Sequence, residues 1–395
     1  MLGGSVVNLV NAIAPLYLCI ALGYGSSKLR LLPHEQTYAG IGGFASKFSL
    51  PFLVFRMIGS NDPYHMDLKL IAADTVYKVA VLFVLSLYCF YRPTHQSVAW
   101  VSTLFNLATM PNSVLIGTPL LTSLYPGTAK DVTALVFMQL LLWFSVCMLI
   151  LEIYKAVYEN SQEFEEKVNA AADHQQGVSS SARDHLQQGE RQYSKQPPEV
   201  VADGLVIHIP QDSVPEFDKI GVVKVRPTKR QVAKRIVQTV VLKFIAAPIV
   251  WAGLLGYTYS LLNFKFNQGK AFPAVLKSFI DLMADYTLGI CMFMIGMNMG
   301  VAKKLFDCGI PKALLGAGVR FIVAPACMAV VSFAVGLRGN MFRFAVMQAM
   351  VPQAILSFVY ANHYNVHIDI FSTAVWSQTL IFIPFAIGLE ILLRV

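Results

Sequence analysis

Charge is scarce in this chain. Of 395 residues only 14% are Asp, Glu, Lys or Arg, against about a quarter in soluble globular proteins, which argues against an ordinary soluble enzyme. The shortage is also uneven. Residues 155–234 hold 11 Lys/Arg and 12 Asp/Glu, leaving 20 and 11 for the other 315 residues, so the net charge of +8 sits on the apolar part. A nucleic-acid binder carries its basic patch on a polar domain. No such domain is present, which excludes nucleic acid as a partner and points the basic excess at a bilayer. Paired cysteines are missing too. Cys19, Cys89, Cys147, Cys291, Cys308 and Cys327 are scattered singly, without a CxxC, and read as small buried hydrophobes. No Asn-x-Ser/Thr sequon helps to orient the chain. No Gly-rich phosphate loop, GxSxG elbow, HExxH or DxxD cluster occurs, so ATP hydrolysis and covalent catalysis lack candidates, and neither a metal nor a cofactor is implied.

What is abundant is apolar length, with 55% of residues from the hydrophobic set. A spanning helix needs about 20 mostly apolar residues. On that scale runs lie near 7–27, 38–58, 70–91, 98–122 and 131–154, and again near 235–261, 274–299, 311–336, 341–362 and 368–394. The expected fold is therefore an all-α membrane protein of ten spans: 1–154 as a first five-helix repeat, 155–234 as a hydrophilic, mostly disordered linker, and 235–395 as a second repeat. The first run lacks a basic leader and continues into another span, so it reads as a span itself. Within the linker, Leu205–Ile209 and Val222–Val225 alternate and suggest a hairpin. Lys28, Arg30, Arg92, Lys155, the Arg226–Arg235 cluster, Lys303, Lys304 and Lys312 fall on the linker side of the spans. Lys69, Lys130, Lys265, Lys270, Arg338, Arg343 and Arg394 fall opposite. This bias puts the linker in the cytosol. Five spans per half also means that the halves insert in opposite orientations.

The halves repeat each other in detail. Each fourth run is broken by a proline followed by a carboxamide, Met110-Pro111-Asn112 and Val351-Pro352-Gln353. Lys78 lies 33 residues before Pro111 and Arg320 lies 32 before Pro352; Gln139 follows the first break by 28 and Gln378 the second by 26. Inverted halves with Pro-interrupted helices in matching positions point to a secondary transporter with its site at the midplane. Proline removes an N–H and drives the preceding residue out of helical geometry. The opened backbone must then be satisfied by protein, water or ligand. A half-helix starting after each break favours an anion, and Asn112 and Gln353 each add an uncharged NH2 donor. The ligand these features suit is a small carboxylate, with Leu50, Val54, Val114, Ile116 and Ile355 holding a flat apolar body.

Asp74 and Lys78, spaced i,i+4, share one face of the third run, where an intramembrane charge costs about 2.5–3.5 kcal/mol on insertion scales. Two readings stand for them: a fixed salt bridge, or a pair that buttresses the break or exchanges a proton, with Arg320 as counterpart. Gln139 either bridges to the open backbone near Asn112 or merely bonds a neighbouring helix. The Met-rich Cys291–Met299 reads as helix packing, and His363 with His367 makes no metal motif.

Ala14-Pro15-Leu16-Tyr17, Tyr24-Gly25-Ser26, Asn61-Asp62-Pro63-Tyr64, Ala72-Ala73-Asp74 with Lys78, Met110-Pro111-Asn112 with Gly117 and Pro119, Gly336-Leu337-Arg338-Gly339, Pro352-Gln353 and Tyr364-Asn365-Val366-His367 together resemble the plant PIN-formed auxin efflux carriers, of the short-loop type. The resemblance implies a 5+5 inverted repeat with two crossover helices, as in sodium–proton antiporters and bile-acid symporters. It implies a scaffold of spans 1, 2, 6 and 7, a moving unit of spans 3–5 and 8–10, and elevator-like export of indole-3-acetic acid from the cytosol by a homodimer. On it, Asn112 matches a substrate contact, Leu50, Val114 and Ile355 the apolar contacts, and Asp74 and Lys78 the supporting pair. The chain departs from the family where an Asn-Pro-Asn is common and Ala247-Pro248-Ile249 stands, and where a Trp pair gives way to Leu29-Arg30-Leu31. Short-loop members favour the endoplasmic reticulum over the plasma membrane. The alternatives are a carrier of another organic anion and a non-transporting membrane receptor.

Overall fold

The computed structural model describes residues 2–92, 94–156, 199–202, 205–208, 229–267, 269–270, 272–301 and 306–394. The first half contains α1 (Leu2–Lys28), α2 (His34–Phe44), α3 (Leu50–Gly59), α4 (Leu68–Tyr91), α5 (His95–Thr109), α6 (Thr118–Leu124), α7 (Ala129–Met138) and α8 (144–156). The second contains α9 (Lys229–Ala246), α10 (Pro248–Phe266), α11 (Ala274–Ala284), α12 (Tyr286–Val301), α13 (Ile310–Gly318), α14 (Ala324–Val335), α15 (Gly339–Met350), α16 (Ile355–Tyr364) and α17 (Ile368–Leu392). Two compact units result, one of residues 1–156 with 236–395 and one of 157–235.

Among the described residues, seven helical stretches are long and apolar enough to cross a membrane, and a bent pair, Ala233–Ala246 with Pro248–Phe266 at 68°, makes an eighth. The bend falls at Ala247-Pro248, where proline cannot continue the ladder of the preceding helix. The stretches near 98–122 and 341–362 each divide into two short helices around a break. The apolar faces turn outward: in Leu68–Tyr91 only 28% of the spanning window is buried, and Leu18, Leu22, Phe83 and Phe333 are exposed. Such a surface is stable in hydrocarbon and costly in water. The chain is a multi-pass membrane protein.

Polar residues at breaks are positioned by four one-turn segments with i→i+5 bonding: Ala45–Ser49, Ser113–Gly117, Gln139–Trp143 and Val319–Val323. Three of them run directly into Pro51, Pro119 or Pro325 in the next helix. A proline without an N–H cannot close the i→i−4 bond, and widening by one residue re-pairs the carbonyls. Helices α1 and α12 meet at backbone distance, because a Cβ on Gly23 would stand 2.0 Å from the Phe293 carbonyl oxygen and one on Gly296 2.0 Å from that of Ile20. Small residues permit this approach between apolar helices.

The first arm of the expected hairpin is a strand. β2 (Leu205–His208) pairs antiparallel with β1 (Glu199–Ala202), Val200 opposite Ile207. Val222–Val225 and most of the 155–234 linker lie outside the described residues.

Candidate functional site at the crossed helix breaks

Helix α5 ends at Thr109 and α15 at Met350, each just before its proline. The two unwound stretches run side by side as a one-step antiparallel ladder, Pro111 opposite Gln353. The Asn112 N–H donates to the Pro352 carbonyl at 2.7 Å and the Ala354 N–H to that of Met110 at 3.0 Å. Each break thus satisfies part of the backbone opened by the other, which hydrocarbon would leave unpaired.

Residues along such a ladder alternate between its two faces. One face carries Asn112 and Ala354, and both line a cavity of about 70 Å³ together with Leu50, Val114, Gln139 and Ile355. The other carries Gln353, whose Oε1 accepts from Arg320 Nη2 at 2.8 Å. Arg320 is completely buried. Its guanidinium also donates to the carbonyls of Asn106, Ala108 and Met110, at the C-terminal end of α5, and of Ala349, at that of α15, over 3.0–3.4 Å. All five acceptors are uncharged. The cation is held by the negative ends of two helix dipoles where they converge, in the fork geometry that only a guanidinium supplies.

Carboxamides brace the ladder from both sides. Gln139 Nε2 donates to the Pro111 carbonyl at 2.8 Å, while Gln378 Oε1 accepts from the Gln353 N–H at 3.0 Å and its Nε2 donates to the Gly316 carbonyl. Ser113 Oγ donates to Gln139 Oε1 and accepts from Gln348 Nε2. Asn112 Oδ1 caps the new half-helix by accepting from the Leu115 N–H at 3.4 Å. Asn112 Nδ2 and Gln353 Nε2 are buried with no protein acceptor. Buried NH2 groups are ordinarily bonded, so Asn112 presents a preformed neutral donor to the cavity. Asp74 and Lys78 pair at 2.8 Å, both buried, with the ammonium 5.3 Å from the Trp143 ring centroid. Neither lines the cavity; Tyr77 beside them donates to the Ala108 carbonyl, one of the acceptors of Arg320.

The profile of the family described as Membrane transport protein matches residues 8–389. Similar proteins include "Probable auxin efflux carrier component 9" of Oryza sativa subsp. japonica, 29% identical over 99% of both chains. "Auxin efflux carrier component 8" of Arabidopsis thaliana is 29% identical over 98% of both. "Probable auxin efflux carrier component 5c" of rice is 30% identical over 98% of this chain and 97% of its own. The chain belongs to the auxin efflux carrier family of membrane transport proteins. At 395 residues it aligns over its full length with such short relatives, as a short-loop member does.

Among the residues that sequence reasoning assigned to the site of this carrier, the fold gathers Asn112, Gln139, Leu50, Val114, Ile355 and Pro111 around one cavity. Pro352 lies in the ladder opposite Asn112. Gln353 faces away, toward Arg320. Val54 is fully buried and does not line this cavity; Ile116 is likewise packed in the core. Lys78 and Arg320, matched in sequence, have unlike surroundings: an aspartate for one, a set of carbonyls for the other. Ser113, Gln348 and Tyr77 were not anticipated. Gln348, a polar residue one turn before the Pro352 break, carried the signal. Ile249, beside the bend at Pro248, also lines the cavity.

Proposed function

We propose that this carrier exports auxin, indole-3-acetic acid, or a similar aromatic carboxylate from the cytosol through ten spans arranged as a 5+5 inverted repeat. The observation that carries the reading is the unpartnered, buried Asn112 Nδ2 at the start of a half-helix, opening on a cavity that Ser113 and Gln139 also line and whose remaining walls are apolar. A carboxylate there accepts from Asn112 and from the first N–H groups of the half-helix, and Arg320 on the far face of the ladder supplies positive potential without touching it. In elevator-like motion, spans 3–5 and 8–10, which carry both breaks, move against spans 1, 2, 6 and 7. The Lys78–Asp74 pair and Arg320 support the ladder during that motion, and the membrane potential acts on a moving anion at about 2.3 kcal/mol per charge per 100 mV. On this reading the linker is cytosolic, two copies pair in the bilayer, and the endoplasmic reticulum is favoured over the plasma membrane.

Radiolabelled indole-3-acetate retained in loaded vesicles as in empty controls, with the chain verified in the membrane, overturns the proposal. Asn112→Ala is expected to abolish export without reducing expression. A second reading, transport of a different organic anion, is favoured by Ile249, which puts an apolar wall in the cavity where the family often has asparagine. Competition by a panel of acids decides between them.

A further inference from the structure

The bend between α9 and α10 opens the backbone in the middle of a span, where few groups can close it. Ala233–Ala246 and Pro248–Phe266 meet at 68°, with Ala247 extended at ψ 115° and no side-chain cap on the first turn of α10. Pro248 has no N–H for the Phe244 carbonyl, which accepts that of Ala247 instead at 3.2 Å. In a continuous helix the Ile245 carbonyl would receive the N–H of residue 249. Across the bend that bond gives way to the Trp251 indole, whose Nε1 donates to the Ile245 carbonyl at 2.7 Å. From Phe244 to Gly256 the sequence holds no other side chain that can donate a hydrogen bond. Ile245 and Trp251 are both half-exposed. At this depth the exposed surface meets hydrocarbon, which contains no water to replace the indole as donor.

The two arms of the bend are fastened to different neighbours. On α9, Lys243 Nζ donates to Glu152 Oε1 of α8 at 2.7 Å and to the Tyr364 hydroxyl at the end of α16 at 2.9 Å. On α10, a Cβ at Gly256 would stand 3.0 Å from the Phe55 carbonyl oxygen, so this helix is seated on α3 at backbone distance. Between those fixed points the chain turns at Ala247, whose side chain can bond nothing. Ile249, two residues on, lines the crossover cavity, and a change of angle at Ala247 carries it along.

We infer that Trp251 is a positioning residue for the crossover cavity: its indole N–H stands in for the helix bond lost at the bend, fixes the angle between α9 and α10, and so holds Ile249 in the cavity wall. The brace stands on geometry alone, whereas its effect on a ligand rests on the proposed binding of a carboxylate beside Asn112.

Hydrogen exchange, read by mass spectrometry on the full chain in lipid nanodiscs, tests the brace. Trp251→Phe keeps a ring and removes the N–H; it is expected to speed amide exchange in peptides covering 244–252 by about tenfold or more, and in α4 by less than about twofold. Pro248→Ala gives residue 248 an N–H and lets the ladder close. In that background Trp251→Phe is expected to change exchange by less than about twofold, whereas a ring that merely packs would matter equally in both. Should Trp251→Phe fail to fold, β-(3-benzothienyl)alanine at position 251, an isostere with sulfur in place of the N–H, serves instead. For the cavity wall, export of radiolabelled indole-3-acetate from proteoliposomes is expected to show a KM raised about threefold or more by loss of the N–H, with the maximal rate altered by less than about twofold. Exchange unchanged by that loss, or raised equally in both backgrounds, overturns the brace. Faster exchange with an unaltered KM overturns its role in placing Ile249. A parent chain that exports no indole-3-acetate overturns the transport reading instead, and the exchange measurements still decide the brace.

Discussion

Replacing Arg320 by methionine removes the cation at the centre of the crossover while nearly preserving volume. A count of lost bonds overstates the cost, because three of its five acceptors keep another donor. The Asn106 carbonyl retains the Met110 N–H, that of Ala108 retains the Tyr77 hydroxyl, and that of Met110 retains the Ala354 N–H. The clear orphan is Gln353 Oε1, a buried acceptor whose partner is Arg320 and whose isolation costs about 1–3 kcal/mol. Loss of a cation from two helix C-termini adds up to about 2 kcal/mol in a buried setting. The expected destabilisation is therefore about 1–5 kcal/mol. Unfolding of the purified chain in mixed micelles, followed by circular dichroism, measures it. The diagnostic variant is the double substitution Arg320→Met with Gln353→Leu. Removing the orphaned amide recovers about 1–3 kcal/mol, so the two changes are expected to couple by that amount. Costs that add within about 0.5 kcal/mol, or an Arg320→Met chain as stable as the parent, refute the idea that the guanidinium organises the crossover through Gln353.

Lys78→Met leaves Asp74 as a lone buried charge and is expected to cost about 3–5 kcal/mol, whereas Asp74→Leu with Lys78→Met recovers most of it; the same unfolding titration checks both. Gly296→Leu forces α1 and α12 apart, since a Cβ there meets the Ile20 carbonyl at 2.0 Å, while Gly318→Ala, with open space around it, is expected to be neutral or mildly stabilising; monodisperse yield in detergent separates the two. His367, between α16 and α17, is pushed below the ordinary histidine range by burial, against the opposing pull of Asp369; its ring lies 4.5 Å from that of Trp100 and its Nδ1 2.8 Å from the Thr103 hydroxyl. Because the folded chain holds this proton more weakly than the unfolded one, the contribution is full above about pH 6.5 and is lost as pH falls through the depressed value. His367→Asn, which tolerates the positive φ of 43°, is expected to remove that part of the acid dependence of unfolding.

Local chemistry made much of this protein readable before any coordinates. A proline cannot donate or continue a helix wherever it stands, so the breaks at Pro111 and Pro352 follow from composition and spacing, as do the apolar spans and the polarity of Asn112 and Gln139 at the site. The identity of β2 was equally local, and so is its partner β1, which ends three residues before it. The crossover is different. Matched motifs suggest matched roles, yet ladder alternation sends Asn112 to one face and Gln353 to the other, and while Lys78 has its aspartate one helical turn away, packing gives Arg320 two helix ends. Val54 has the right size and hydrophobicity for a ligand wall, but its location in the core depends on how α3 is rotated against its neighbours. Short-range rules fix where the chain must open. Which groups then face one another depends on contacts between residues more than two hundred positions apart, and such contacts leave no periodic trace in a single sequence.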